Sequence, residues 1–207
     1  MNRVLLASLL AVAVAAGAHS QNLFDLAKTG TPQQVQGALD AGARVNERGK
    51  NGVTPLMMAA LFNSDPAVIQ VLVKAGARVN DIVSDGRNAL MLAAQFNQSP
   101  GVTRALLEAG ASAGTSLLLA AQSNPNPDII TMLVKAGSKI DERTADGRTA
   151  LMLAAAFSSN PAVITALLQA GADAKLKSSS GMTAFDYAGK NDKLRDTAQY
   201  QALRDAQ

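Results

Sequence analysis

The sequence has no cysteine and no tryptophan, and one histidine, His19; five Phe and two Tyr are its only aromatic residues. The missing cysteine excludes disulfides, thiolate metal sites and thiol chemistry. With so few aromatics, Ala, Leu, Val, Ile and Met supply most of an apolar content of 48%. That palette suits thin, closely stacked helices better than a β-sandwich. Charge of one sign is also lacking: 19 basic residues are interspersed with 16 acidic ones, for a net +3. No basic stripe alternates with aromatics, so a nucleic-acid partner is not expected.

Long apolar runs are equally scarce, and the one present lies at the start. In MNRVLLASLLAVAVAAGAHSQ, Arg3 precedes an apolar run from Val4 to Ala16. The run falls short of the roughly 20 residues needed to span a bilayer as a helix. Small residues then offer cleavage after Ala18 or after Ser20. This is the layout of a secretory signal peptide, expected over residues 1–20, with no insertion of the mature chain into the membrane. Cleavage after Ser20 would also remove His19, leaving neither His nor Cys. Ser–His and Cys–His pairs and His-ligated zinc are then excluded. Carboxylates are numerous, but their spacing places no pair across a pocket. No catalytic, metal or cofactor-binding residue is assigned, and no enzyme activity is expected.

What the chain does have is self-similarity. LMMAA begins at Leu56, LMLAA at Leu90, LLLAA at Leu117 and LMLAA at Leu151, with a weaker AFDYA at Ala184. The first three steps are 34, 27 and 34 residues. Glycines at 42, 76, 110, 137 and 171 form a second series, and each L-x-x-A-A word precedes its glycine by 20 residues. The seven residues missing from one unit therefore all fall between Gly110 and Leu117.

Each unit reads as two short antiparallel helices. Thr54, Asn88, Thr115, Thr149 and Thr183 stand where a side-chain oxygen can cap the first helix. Pro55 occupies a first helical position, where its missing N–H costs nothing. Asn63, Asn97 and Asn124 follow the first helix and are expected to take a left-handed turn. Pro66, Pro100, Pro127 and Pro161 open the second helix. Gly76, Gly110, Gly137 and Gly171 end it, where positive φ is usual. Asp85-Gly86 is a hairpin signal within the polar stretch that links one unit to the next.

With these words in register, the chain resembles the ankyrin-repeat family from about Asn22 to Ala206. GVTPLMMAA, KAGARVN, DGRTALMLAA and QAGADAK carry the resemblance. Two features depart from the family pattern. Met57, Met91, Leu118 and Met152 stand where a His is usual, and the turns N-S-D-P, N-Q-S-P and S-S-N-P are one residue longer. The resemblance implies an all-α ankyrin-repeat solenoid of about six helix-turn-helix units with short β-hairpin fingers, one of them deleted. The expected layout is a cap at 22–50, internal repeats at 51–84, 85–111, 112–145 and 146–179, and a cap at 180–207. Gln33, Gln34 and Gln36 in the first copy, and Asp, Lys, Arg and Gln in the last, are the polar faces such ends need.

The shortened unit keeps only Ala111, Ser112, Ala113 and Gly114 before Thr115. Four extended residues reach roughly 13 Å. That suffices to step to the next helix pair, some 8–10 Å away, but not to run out and return. A gap is therefore expected between the fingers at 80–87 and 141–148. It reads either as a neutral change in a surface loop or as a notch that admits a partner's loop or a ligand.

The resemblance also implies that partners meet the fingers and the inward face of the first helices. Carried over by position, the helix residues are Leu61 and Phe62, Gln95 and Phe96, Gln122 and Ser123, and Phe157. The finger residues are Arg48, Lys50, Asp81, Ile82, Val83, Asp85, Glu142 and Arg143. Ile82 and Val83 are a pair of apolar residues on an expected tip. A Phe fixed in each unit reads first as packing between repeats and only second as contact, and the Met series reads as core filler. The expectation is an exported, periplasmic, monomeric module that binds another protein. Two roles compete: supporting a periplasmic catalase or other peroxide-defence enzyme, or acting as an immunity or inhibitor protein against a toxin or hydrolase delivered to that compartment.

Overall fold

The computed structural model describes residues 22–206, so the expected signal peptide and His19 lie outside the described residues. The described chain folds into α1 (Leu23–Thr29), α2 (Pro32–Asp40), α3 (Pro55–Phe62), α4 (Pro66–Lys74), α5 (Ala89–Phe96) and α6 (Pro100–Glu108). There follow α7 (Ser116–Ser123), α8 (Pro127–Lys135), α9 (Ala150–Phe157), α10 (Ala162–Gln169), α11 (Ala184–Ala188) and α12 (Ala198–Asp205). No described helix is long and apolar enough to cross a membrane.

Helices this short are marginal alone, so their stability comes from stacking. The odd-numbered helices pack on one another in one layer and the even-numbered helices in a second. Between the layers runs one apolar core. Leu56, Leu90, Leu117 and Leu151 from the first helices meet Leu72, Leu106, Leu133 and Leu167 from the second, all essentially inaccessible to solvent. The Ala-Ala pairs at 59–60, 93–94, 120–121 and 154–155 are also fully buried, and they let neighbouring first helices approach closely. The ends are polar as expected: Val35 is the only buried residue of α2, and Leu203 the only one of α12.

The capping chemistry holds in four units. Thr54, Asn88, Thr149 and Thr183 accept the N–H groups of Met57, Met91, Met152 and Asp186. Gly76, Gly110, Gly137 and Gly171 end the second helices at φ of 89°, 81°, 93° and 90°. In each case the amide after the glycine reaches back into the helix, as Ala77 N–H does to the Leu72 carbonyl at 3.0 Å. That closes the helix through its orphan carbonyls.

The asparagines after the first helices behave differently from the expected left-handed turn. Asn63, Asn97 and Asn124 are extended, with φ of −86°, −93° and −94°. Each turns its carboxamide into the preceding unit instead. Asn97 Nδ2 donates to the carbonyls of Ala60 and Asn63 at 3.0 and 2.8 Å. Asn124 Nδ2 does the same to Ala94 and Asn97, both at 2.9 Å. Each carboxamide satisfies the carbonyls left over at the end of the previous first helix, so the longer turn serves as a ladder joining unit to unit.

The fingers are hairpin-shaped turns; no strand occurs among the described residues. Each finger closes on one backbone bond: Gly49 N–H to Val53, Val83 N–H to Arg87, Thr144 N–H to Arg148, and Ser178 N–H to Met182. Between Gly110 and α7 there is no finger. Thr115, at φ −83° and ψ 16°, does not cap the helix. Gly114 takes φ +42°, and a Cβ there would collide with the Met91 methyl.

A candidate protein-binding face

Two of the fingers carry the word Asp-Gly-Arg, and in both the aspartate holds the arginine over the first helix of its own unit. Arg87 pairs with Asp85 at 2.6 Å, donates to Gln95 Oε1 at 2.8 Å and stands 5.9 Å from the Phe96 ring centre. Arg148 pairs with Asp146 at 2.6 Å and stands 5.9 Å from the Phe157 ring. Lys28 of α1 covers the Phe62 ring at 4.9 Å. Fingers and first helices thus share one face, along which three cation-braced Phe rings are displayed.

Electrostatics tighten these stacks. The hydrogen bonds from Arg87 hold the Asp85 carboxyl below its ordinary pKa, while the Asp85 partner raises that of Arg87. Asp146 is lowered by the Thr144 hydroxyl first and then by Arg148. Both carboxylates are therefore ionised at neutral pH.

Exposure corrects two expectations. Phe62, Phe96 and Phe157 are 55%, 54% and 53% exposed, so they are not packing between repeats. The core is already filled by Leu and Ala, and the rings project from the last helical position of α3, α5 and α9. Conversely Val83 is only 8% exposed: it turns inward at the base of its finger and contributes nothing to the tip. Ile82 beside it is 51% exposed. Met57 and Met152 are core as expected, whereas Met91 is half-buried because no finger covers it.

The remaining candidate residues divide into free and occupied groups. Lys50, Gln122 and Ser123 are exposed, Glu142 is half-buried, and Leu61 packs partly against the core. Arg48 and Arg143 are clasps between fingers. Arg48 pairs with Asp81 at 3.1 Å and donates to the Ile82 carbonyl at 2.7 Å. Arg143 donates to the Lys177 carbonyl at 2.8 Å. Sequence reasoning missed Lys28, Arg87 and Arg148. The signal was available for two of them: in both units that carry D-G-R, a Phe follows the Arg by nine residues. No cluster of His, Cys, Asp or Glu among the described residues could hold a metal ion.

Two layers of short stacked helices with fingers at each junction define a repeat scaffold that displays one continuous side. Ankyrin repeats (3 copies) is the family description that matches residues 23–116 and 117–201, and the chain belongs to the ankyrin-repeat family. Ankyrin repeats bind other proteins and are typically non-enzymatic scaffolds. No curated protein sequence matches the chain.

Solved structures do match. One is the complex of the Bd0816 predatory endopeptidase from Bdellovibrio bacteriovorus with immunity protein Bd3460. The match is 27% identical with a TM-score of 0.75, over 91% of this chain and 99% of that chain. Another is EF0377, an ankyrin-repeat protein, at 24% identity and TM-score 0.71 over 88% of this chain and 96% of that one. The human ASB11 ankyrin-repeat domain matches at 22% and 0.65, over 90% and 98%. The last two show the fold alone.

Proposed function

We propose that the chain is an exported inhibitor or immunity protein that binds a hydrolase in the periplasm and blocks it. The observation that carries this reading is the row of braced aromatic rings, Phe62, Phe96 and Phe157, on the finger side. Large rings more than half exposed at fixed repeat positions make poor solvent surface and good contact anchors. Support for the kind of partner comes from the similarity to the endopeptidase–immunity protein complex. Support for export is the basic, apolar and small-residue layout of residues 1–20.

The test uses periplasmic extract from cells depleted of the protein. Adding the purified mature chain is expected to lower endopeptidase activity in a saturable way. A variant with Phe62→Ala, Phe96→Ala and Phe157→Ala is expected to fold and to lose that effect. Unchanged activity with the unaltered chain would sink the inhibitor reading. Peroxide sensitivity of the depleted cells, with hydrolase activity unaltered, would point instead to support of a catalase. N-terminal sequencing of the exported protein tests the expected cut after Ala18 or Ser20.

A further inference from the structure

Adjacent fingers are joined by a recurring set of bonds. Between the first and second fingers, Asn46 Nδ2 donates to the Gly76 carbonyl at 2.9 Å and Asn46 Oδ1 accepts from Arg78 N–H at 2.8 Å. Arg48 donates to the Ile82 carbonyl at 2.7 Å, and Ser84 N–H donates to the Asn51 carbonyl at 3.0 Å. Between the last two fingers the set recurs without its first bond, because Asp141 stands in the asparagine's place and has no donor for the Gly171 carbonyl. Asp141 accepts from Asp173 N–H at 3.1 Å, Arg143 donates to the Lys177 carbonyl at 2.8 Å, and Ser179 N–H donates to the Asp146 carbonyl at 3.0 Å.

The shortened unit removes one donor of this set and leaves its receivers in place. Asn80 still bridges forward, to the Gly110 carbonyl at 3.1 Å and from Ser112 N–H at 2.7 Å. Gly114 then occupies the place of Asn46 and Asn80, four residues after the helix-ending glycine. In consequence no described group pairs with the Gly137 carbonyl or the Lys139 N–H, the counterparts of Gly76 and Arg78. At the tips, the Asp85 carbonyl and the Ala145 N–H, counterparts of Asn51 and Ser84, also have no described partner. Fingers two steps apart stand roughly 16–20 Å from one another, which is one finger's width of open space.

The side chains on the rim match this gap. Where a following finger exists, the clasp position holds Arg48 or Arg143. At the edge of the gap it holds Ile82, 51% exposed, with no carbonyl ahead to receive an arginine. The first helix under the gap ends in Ser123 where α3, α5 and α9 end in Phe, and its unit has no finger arginine to brace a ring. Met91 is half-buried beside Gly114. At the gap the clasp position and the ring position therefore both differ from those of the units that keep their finger.

We propose that the gap is a socket for a turn of the bound protein, one that places an Asn or Gln carboxamide on the Gly137 carbonyl and Lys139 N–H and an apolar side chain on Ile82. The chain's own fingers define this occupant. They show that an asparagine-bearing turn satisfies the same carbonyl and amide at the two junctions where Asn46 and Asn80 stand. The proposal rests on the reading that the chain binds a protein, and it states what chemistry that protein presents.

The probe is a cyclised synthetic peptide with this chain's own residues 79–88, VNDIVSDGRN. It is titrated into the isotopically labelled mature chain and followed by amide NMR. Saturable shifts are expected at Lys139 and Ala145. They should weaken at least tenfold with the Asn80→Ala peptide and vanish in a variant whose 111–114 segment is lengthened to a full finger. No shift at millimolar peptide, or equal shifts in the lengthened variant, would overturn the proposal. A concentration-dependent dimer lost in the lengthened variant would assign the socket to a second copy of the chain and overturn it as well. The lengthened variant also enters the endopeptidase assay. Peptide binding without any inhibition keeps the socket and rejects the inhibitor reading. Inhibition undiminished by the added finger does the reverse.

Discussion

Ser116 sits in a place that Pro55, Ala89, Ala150 and Ala184 fill in the other units, and its hydroxyl is buried with no hydrogen-bond partner. Leaving a buried hydroxyl unpaired costs about 1–3 kcal/mol. Ser116→Ala is therefore expected to stabilise the chain by about 1 kcal/mol, read as a higher midpoint in urea unfolding; a lower midpoint would show that the hydroxyl has a partner in solution. Asn97 is the opposite case. Its carboxamide donates to the Ala60 and Asn63 carbonyls and accepts from Ser99 N–H at 2.9 Å. Asn97→Ala strands these groups in the core and should cost about 2–4 kcal/mol.

At the scale of the element, each short helix persists through its neighbours, so repairing a junction should strengthen the whole stack. The asparagine ladder has one break. Ser158 stands where Asn124 and Asn191 stand in adjoining units, and its hydroxyl turns to its own Asn160 carbonyl at 3.0 Å. Asn160 donates to the Pro125 carbonyl at 2.7 Å, as Asn126 does to the Gln98 carbonyl at 2.9 Å beside an intact ladder, so this bridge does not replace the missing one. Ser158→Asn is expected to add a bridge from α9 to the end of α7 and to raise stability by about 1 kcal/mol. Slower amide exchange in α7 and α9 is the specific readout, and unchanged exchange there would count against it.

At the scale of the whole molecule, no histidine occurs among the described residues, so no described side chain has an ordinary pKa between pH 5 and 8. The resolved carboxylate shifts, at Asp85, Asp146 and Asp186, are all downward. A lowered carboxyl pKa adds stability that is complete above its unfolded value of about 4 and is lost as pH falls through the folded value. Folding stability is thus expected to be flat from about pH 5.5 to 7 and to decline only in stronger acid. A midpoint that moves within that window would contradict this. The Phe62, Phe96 and Phe157 triple substitution belongs to the same scale. Exposed rings add little to the core, so its melting temperature should stay within a few degrees while the endopeptidase effect disappears.

Periodicity by itself determines the architecture. The L-x-x-A-A words, the capping Thr and Asn residues, the prolines and the helix-ending glycines are local signals, because each acts within one turn of its own helix. The polar ends and the missing finger were legible for the same reason, since chain length alone limits reach. Direction across units was not legible. Whether Asn63 closes its own turn or bridges to Ala27 and Gly30, as it does at 3.1 and 3.0 Å, depends on a partner 36 or 33 residues away. The same holds for Phe96 and Val83: alternation cannot say which apolar residue points outward once Leu and Ala have filled the core. Stacking alone decided that arginines clasp the neighbouring fingers and that the gap is rimmed by backbone groups without a described partner. These are contacts between repeats, and a repeat's own sequence carries no record of what its neighbour leaves open.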